Sequence, residues 1–252
     1  MKWFLILAVI SFRLAASGWE VTEASVAGTL SKGAEVVRTE LFDGSRNAIL
    51  TAIVFHARTH SLRVVDSPSP GSTKLAGVLA AAGCEAGVNG GYFHDDFRPV
   101  GLVVADGREI HFAERAKLLS GVVCVRGSGI EIVRSSRFKN AGNVAQAIQC
   151  GPMLVEDGVP VAGLNGERPA RRTVVATDGR GQWALVYLTS VTLEDAARIL
   201  TTPGALSARF ETATALNLDG GSSSGLWAAT SPAVSLPEFG HVRNYLGIAP
   251  RK

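Results

Sequence analysis

The chain is divided into many short apolar segments of strand length, separated by turns that contain glycine, and this pattern limits the fold more than any other feature. Glycine is abundant, with 28 residues, which favours strands and turns over long surface helices. Turns at 58–61, 127–129, 156–158 and 178–181 predict hairpins. Strands are predicted near residues 47–55, 62–65, 85–89, 100–105, 109–112, 120–125, 129–134, 145–150, 152–156, 172–177, 183–189, 213–218 and 245–249.

Two segments have clear helical periodicity. The first covers about residues 73–82, with Ser72 as its predicted cap. The second covers about residues 192–200, and Thr192 with Asp195 resembles a capping box at its start. Because strands do not alternate regularly with helices, the pattern predicts an α+β fold, with strand-rich mixed sheets in a single domain.

The N-terminal segment has the features of an export signal. A basic start is followed by an apolar run over 3–12 and small residues at 14–17, so we predict a signal peptide over 1–17 and a domain over 18–252. The run is too short to span a bilayer comfortably, although an uncleaved anchor or a core strand are alternatives. We expect a secreted or periplasmic protein without a stable membrane span. Residues 18–45 are mixed and polar, and predict a loose arm or short edge strands.

Charge and cysteine spacing exclude some function classes. Removing Lys2 and Arg13 with the signal lowers the formal charge from +3 to +1 (3 − 2), which argues against nucleic acid as a partner. Cys84, Cys124 and Cys150 allow one disulfide with one thiol left over, or three buried thiols. None has the spacing of a zinc site, and no cofactor is predicted.

The strongest candidate for chemistry is Asp219, which ends an apolar strand. A strand that ends on a carboxylate and two glycines brings the carboxylate to an edge of the sheet, where the glycine N–H groups can approach a ligand closely. This arrangement favours a site for a sugar or an anion. The substrate-binding candidates that follow the aspartate are Gly220, Gly221, Ser222 and Ser223.

A second strand end has the same composition. Asn89 follows a short apolar strand and precedes Gly90, Gly91 and Tyr92, which are further substrate-binding candidates. An asparagine both donates and accepts hydrogen bonds, which suits recognition of a hydroxyl group. An ordinary Asn-Gly turn is the alternative. Two such strand ends in one domain favour a shared edge.

A pair of arginines opens a third apolar strand. Arg171 and Arg172 precede Thr173, which is a further substrate-binding candidate. A guanidinium at a strand end offers a planar donor pair for phosphate or carboxylate. A surface salt bridge is the alternative for either arginine. One of the two is functional only if it lies at the same edge as the aspartate.

Two other motifs favour weaker interpretations. His94, Asp95 and Asp96 are adjacent, and adjacent residues rarely ligate one ion, so a solvated turn is preferred over a metal site. Residues 221–225 match G-x-S-x-G, which would make Ser223 a nucleophile. Only 27 residues follow (252 − 225), too few to supply the acid and the histidine in the usual order.

Together, five segments resemble the phosphodiester glycosidase family in sequence and in order. The resemblance extends over about residues 47–249, and residues 93–102 are most similar to a bacterial exported branch. The five segments are Asn89–Phe93, Gly101–Gly107, Gly151–Val155, Arg172–Asp178 and Ala215–Gly221.

The resemblance implies a hydrolase that cleaves the sugar C1–O–phosphate bond of a glycan or envelope polymer. Asp219 would act as nucleophile, base or electrostatic stabiliser, Arg172 would hold the phosphate, and Asn89 would bind a sugar hydroxyl. Ala176 and Ser222 stand where the family often has glycine, so specificity for N-acetylglucosamine is not expected. A non-catalytic exported glycan-binding protein is the main alternative.

The second carboxylate of a glycosidase pair is not assigned by the sequence. Glu85, Asp95, Asp96 and Glu167 are the candidates. Retaining and inverting routes therefore stay open, because the distance between the two carboxylates distinguishes them.

Overall fold

The computed structural model describes residues 18–69, 74–139 and 142–251. The predicted signal peptide and the predicted cap at Ser72 lie outside these ranges. The helices of the described residues are α1 (Leu75–Ala81) and α2 (Leu193–Thr201). In chain order, the strands are β1 (Glu20–Thr29), β2 (Glu35–Phe42), β3 (Asn47–His56), β4 (His60–Asp66), β5 (Ala86–Asn89), β6 (Val103–Ala105), β7 (Arg108–His111), β8 (Gly121–Arg126), β9 (Gly129–Arg134), β10 (Val144–Cys150), β11 (Met153–Glu156), β12 (Val159–Pro160), β13 (Ala170–Thr177), β14 (Gln182–Val191), β15 (Thr214–Asn217), β16 (Leu226–Ala228), β17 (Val234–Leu236) and β18 (Asn244–Pro250).

The strands form three sheets. The large sheet has eight strands in the order β1-β2-β3-β14-β13-β15-β11-β12. The second sheet has the order β7-β6-β10-β8-β9, and the third has the order β17-β16-β5-β18-β4. With three sheets and two helices among the described residues, the predicted α+β class is confirmed.

The main hydrophobic core lies where the three sheets meet. Ile53 and Leu216 of the large sheet, Ile148 of the second, and Val88 and Ile248 of the third belong to one buried cluster. Burying each such side chain contributes about 1.5–3 kcal/mol relative to leaving it in water. The core therefore holds the ends of strands from different sheets against one another.

Each helix covers an outer face of a sheet. Ala196 and Ile199 of α2 pack on the large sheet, in a second buried cluster. Leu75 and Leu79 of α1 pack in a separate cluster with Tyr245 of the third sheet. The large sheet is thus buried on both faces over its central strands, which explains their nearly continuous apolar sequences.

The two helices begin in different ways. At α2 the predicted capping box is confirmed: the Thr192 hydroxyl accepts a hydrogen bond from the Asp195 N–H at 3.0 Å, and the Asp195 carboxylate accepts one from the Thr192 N–H. At α1, Lys74 takes the N-cap position and makes no side-chain cap hydrogen bond. The Leu75 N–H instead donates to the buried carboxylate of Glu238 at 2.8 Å. A group distant in sequence thus replaces a local cap at α1.

Three of the four predicted hairpins are confirmed. They connect β8 to β9, β11 to β12, and β13 to β14. The hairpin predicted at 58–61 is wrong, because β3 pairs with β2 and β14 while β4 pairs with β18. The chain crosses here from the large sheet to the third sheet. Alternation of apolar residues identifies strands but not their partners, which is why the sequence did not show the crossing.

The polar N-terminal region forms longer strands than expected. Instead of a loose arm or short edge strands, β1 and β2 extend over 10 and 8 residues and pair with each other. β1 is mostly exposed and forms one edge of the large sheet. Its polar side chains face solvent, so the polar composition is compatible with a regular strand.

The three cysteines are free and buried, so the alternative with a disulfide is wrong. Cys84 lies in the cluster beneath α1, Cys124 lies on the second sheet, and Cys150 lies in the main core. Their placement in three separate clusters keeps the sulfur atoms apart. Within the described ranges, no helix has the length and apolar character needed to cross a membrane.

Candidate active site

The two strand ends predicted to share an edge do meet. β15 of the large sheet and β5 of the third sheet end side by side, two residues before Asp219 and at Asn89, respectively. The Asp219 N–H donates to the Gly90 carbonyl at 3.0 Å. The Asn89 side-chain amide donates to the Asp219 carbonyl at 2.7 Å. The junction between two sheets therefore fixes the backbone of the aspartate.

Asn89 has a structural position rather than the predicted contact with a sugar hydroxyl. Its side chain is fully buried, and its Oδ1 accepts from the Thr173 hydroxyl at 2.7 Å and the Gly225 N–H at 3.1 Å. Thr173 is fully buried as well. Both side chains use their polar atoms inside the protein, so neither is available to bind substrate directly. They position the backbone on both sides of Asp219.

The glycines of the first motif are also engaged within the protein. The Gly90 N–H donates to the Asn244 carbonyl, and the Gly91 N–H donates to the Asn244 Oδ1, both at 2.8 Å. A Cβ atom on Gly90 would overlap the Asn244 side chain. These glycines permit close packing of β5 against β18, and their N–H groups are occupied within the protein.

The Asp219 carboxyl lies half-buried in a polar turn. It accepts hydrogen bonds from the Gly220 N–H at 2.9 Å and from the Ser223 hydroxyl. Burial raises the pKa of Asp219 to about 6, against the lowering effect of these two donors. Gly221 has a φ of +62°, a backbone conformation that favours glycine, and it starts the short 3-10 turn that returns Ser223 to the carboxylate. At neutral pH the group is mostly ionised and readily protonated.

The structure argues against Ser223 as a nucleophile. Its side chain is buried and its hydroxyl is hydrogen-bonded to a carboxylate. Of the histidines in the described ranges, none forms a hydrogen bond with Ser223 that would make it a general base. A serine held by an acid without a histidine lacks the activation that acyl transfer requires. Ser222, by contrast, is exposed at the tip of the turn.

Arg172 lies beside the same turn. Its Nη1 would be 3.8 Å from a Cβ atom placed on Gly220. Its Nε donates to the Val191 carbonyl at 3.0 Å and its Nη2 to the Arg168 carbonyl at 2.6 Å, which fix the guanidinium without neutralising it. No carboxylate of the described residues pairs with Arg172, and burial lowers the pKa of this side chain. The alternative of a surface salt bridge is therefore wrong for this arginine.

Tyr92 connects the turn to the neighbouring strand end. Its hydroxyl donates to the Gly151 carbonyl and accepts from the Asn217 side-chain amide at 3.1 Å. Burial raises the pKa of Tyr92 far above its usual range, and the electrostatic influence of Cys150 and Asp219 raises it further. The phenol stays neutral and lies within electrostatic reach of the aspartate.

Asn217 is a site residue that the sequence reasoning missed. Its amide nitrogen donates to Gly151 at 2.9 Å and to Leu218 at 2.6 Å, while its Oδ1 is buried without a partner among the described residues. It belongs to the same motif as Asp219, two residues earlier. Its polar side chain in that otherwise apolar strand could have identified it.

None of the four candidates for a second carboxylate is bonded to Asp219. Glu85 pairs with the buried His60 at 2.6 Å, at the opposite end of β5 from Asn89, about 13 Å away for four strand residues. The other three candidates are exposed, and Asp96 pairs with Arg98. No group of acidic, histidine or cysteine residues suited to a metal ion occurs in the described part of the chain.

A separate cavity of about 770 Å³ lies among residues 113–120 and 134–138, with Gln149 in its wall. Its lining includes neither Asp219 nor Arg172. The chemistry of the aspartate turn, rather than the size of this cavity, therefore locates the candidate site.

Comparison with solved structures shows which fold this is. The zebrafish N-acetylglucosamine-1-phosphodiester alpha-N-acetylglucosaminidase catalytic domain, auto-inhibited by its pro-peptide, superposes with a TM-score of 0.63 at 17% identity, over 91% of this chain and 88% of that one. A hypothetical protein from Synechocystis gives a TM-score of 0.62 at 16% identity, over 87% of this chain and 62% of that one. At such identities the similarity establishes the fold alone.

Comparison of sequences identifies the family. The protein YigE of Escherichia coli (strain K12), described as uncharacterized, is 32% identical over 95 residues, which are 34% of this chain and 36% of that protein. The match thus spans about a third of that relative. The phosphodiester glycosidase family model matches residues 82–249, which are 168 (249 − 82 + 1) of the 252 residues. Since this match covers well over half of the chain, the chain belongs to the phosphodiester glycosidase family, a family of enzymes.

Proposed function

We propose that the chain is an exported hydrolase that cleaves the C1–O–phosphate bond of a glycosyl-1-phosphodiester in a glycan or envelope polymer. One observation carries the proposal: an ionisable carboxyl, Asp219, and a cation with no counter-ion among the described residues, Arg172, lie against the same residue, Gly220. A sugar phosphodiester needs both charges, one at the anomeric carbon and one at the phosphate. Family membership supports the same chemistry.

The reaction would break the bond between C1 and the bridging oxygen. The oxygen leaves with the bonding electrons as part of a phosphomonoester, and positive charge develops at C1. Water then adds to C1 and loses a proton, which gives a free sugar. The Asp219 carboxylate stabilises the charge at C1 and accepts the proton from the attacking water. A phosphomonoester is already a good leaving group, so this route does not require a second carboxylate as general acid.

Arg172 would neutralise the charge that accumulates on the departing phosphate. Its carbonyl partners hold the guanidinium in place before substrate binds, so little reorganisation accompanies the reaction. The absence of a carboxylate partner in the described residues leaves its charge available to the phosphate. The exposed Ser222 lies on the same turn and can hydrogen-bond the substrate.

Two variants test the assignment. Purified Asp219→Asn and Arg172→Gln proteins should each lose about 100-fold or more in kcat toward glycosyl-1-phosphodiesters, measured as release of free sugar. Glu167→Gln and Asp95→Asn remove exposed acids that form no hydrogen bond with Asp219 and should keep full activity. Full activity in Asp219→Asn would refute the proposed role. A large loss in Asp95→Asn would instead identify a second catalytic carboxylate.

The non-catalytic glycan-binding alternative predicts binding of sugar phosphodiesters with no release of sugar by the wild-type protein. The serine hydrolase alternative predicts labelling by a fluorophosphonate probe that Ser223→Ala abolishes. Export is tested separately, by N-terminal sequencing of the protein recovered outside the cytoplasm. A mature chain that begins near residue 18 would support the predicted signal peptide.

A further inference from the structure

A large aromatic side chain stands exposed next to the aspartate turn. Phe239 is 77% exposed, and its backbone N–H donates to the Ser222 carbonyl at 2.8 Å. A single exposed apolar side chain needs no explanation by itself, because much of any protein surface is apolar. The location of this one matters, since the hydrogen bond attaches it to the residue three positions after Asp219.

A partly buried cation supports one face of the Phe239 ring. The Arg171 guanidinium lies 3.7 Å from the ring centroid, a short cation–π distance. The Arg171 Nε donates to the Gly221 carbonyl at 2.8 Å, so the same side chain holds both the ring and the turn. The sequence predicted Arg171 only as one of two alternatives for a phosphate contact, and the structure gives it this different position.

Arg171 is also incompletely satisfied. Its Nη2 atom is buried without a hydrogen-bond partner, and no acid in the described ranges pairs with the side chain. A buried cationic donor without an acceptor destabilises the folded protein. Such a donor persists where it serves a ligand or holds another side chain in place. The guanidinium therefore holds the Phe239 ring beside the turn while its own Nη2 stays unpaired.

We propose that Phe239 is a stacking platform for the sugar ring whose C1–O bond is cleaved, and that Arg171 is its positioning residue. With the guanidinium on one face and most of the side chain in solvent, the other face is open. Sugar rings present C–H groups with partial positive charge, which favour the negative face of an aromatic ring. Arg172 lies at Gly220, whereas Phe239 lies at Ser222, so phosphate and sugar ring would occupy neighbouring positions along one turn.

This proposal rests on the proposed function for the identity of the ligand, but its test requires no turnover. Binding of α-glucose, α-galactose and α-N-acetylglucosamine 1-phosphates is compared with binding of glycerol 3-phosphate, which has a phosphate but no ring. Wild-type protein should bind at least one sugar phosphate more tightly than glycerol 3-phosphate. Phe239→Ala should weaken that binding about 3- to 10-fold and leave glycerol 3-phosphate unchanged.

Matched variants distinguish stacking on the Phe239 ring from the effect of removing any exposed aromatic side chain. Phe239→Tyr keeps the ring and should retain the preference for sugar phosphates. Phe112→Ala removes another exposed phenylalanine, with 61% of its surface in solvent, and should change nothing. No preference for a ring in the wild type, or equal loss of both ligand types in Phe239→Ala, would overturn the proposal. Loss of turnover in Asp219→Asn with an intact ring preference would support both proposals independently.

Discussion

Replacing Asp219 by asparagine should stabilise the protein at neutral pH while removing activity. Burial raises the pKa of this carboxyl from its ordinary value of 3.8 to about 6, so the folded state disfavours its ionised form. Asparagine has nearly the same shape and carries no charge. Its Oδ1 can still accept from the Gly220 N–H, and its amide nitrogen can donate to the Ser223 hydroxyl. The substitution therefore removes the free-energy penalty of burying an ionised carboxylate and keeps the hydrogen bonds to Gly220 and Ser223.

The magnitude follows from the difference in pKa. Each tenfold change in the dissociation constant is worth about 1.36 kcal/mol, so a rise from 3.8 to about 6 costs about 3 kcal/mol once the group is fully ionised. Water reaches part of the carboxyl, and we expect a measured gain of about 2–3 kcal/mol at pH 7. For a domain of this size the gain corresponds to roughly 4–12 °C in Tm.

The dependence on pH gives the sign of the effect. Between pH 3.8 and 6, the folded state holds the proton more strongly than the unfolded state, so stability contributed by protonated Asp219 is lost as pH rises through this window. The free energies of unfolding of wild type and variant should differ most above pH 7. Near pH 4 this difference should shrink to about 0.6 kcal/mol.

Urea denaturation at pH 4, 5.5 and 7 measures the gap directly. Asp96→Asn is a suitable control, because that exposed acid pairs with Arg98, which lowers its pKa, and it should not stabilise on neutralisation. An Asp219→Asn protein that is less stable than wild type at pH 7, or a gap that does not vary with pH, would refute the reasoning.

Three further outcomes are expected. In the wild type, kcat should rise as pH increases through about 6 and then level off, because the reaction uses the ionised Asp219; a rate that falls over the same range would indicate a general acid instead. Thr192→Ala removes one half of the capping box and should cost about 1 kcal/mol in urea denaturation without changing KM; Thr192→Ser should restore most of it. Asn89→Ala leaves the Thr173 hydroxyl and the Asp219 carbonyl without partners, so it should cost roughly 2–4 kcal/mol and lower kcat more than it raises KM. An Asn89→Ala enzyme with only a raised KM would favour direct contact with substrate after all.

Local sequence patterns predicted most of the strands and both helices. Apolar runs bounded by glycine identified β5, β13 and β15, and the Thr192–Asp195 spacing identified the start of α2, because these signals act within a few residues of the chain. The pairing of β3 and β4 with different sheets was not predictable from the same signals. Strand pairing depends on which segments meet across long distances in sequence, and a strand's own composition carries little information about that.

For the candidate site, the sequence identified positions better than roles. The two strand-end motifs and Arg172 do come together, but burial shows that Asn89 and Thr173 hold the backbone rather than face a substrate. The sequence pattern of a polar side chain at a strand end is the same whether that side chain faces solvent or the core. Only the packing of neighbouring sheets separates the two cases.

The sequence alone thus determined the α+β class and the family resemblance, and it predicted Asp219 as the central site residue, since each depends on residue types at short spacing. The tertiary structure decided which groups surround that carboxyl. Burial at the junction of two sheets raises the pKa of Asp219. Arg172 has no counter-ion among the described residues, and a hydrogen bond to Ser222 holds Phe239 beside the turn. These properties arise from desolvation and from contacts between segments distant in the chain, and neither is encoded in a local motif.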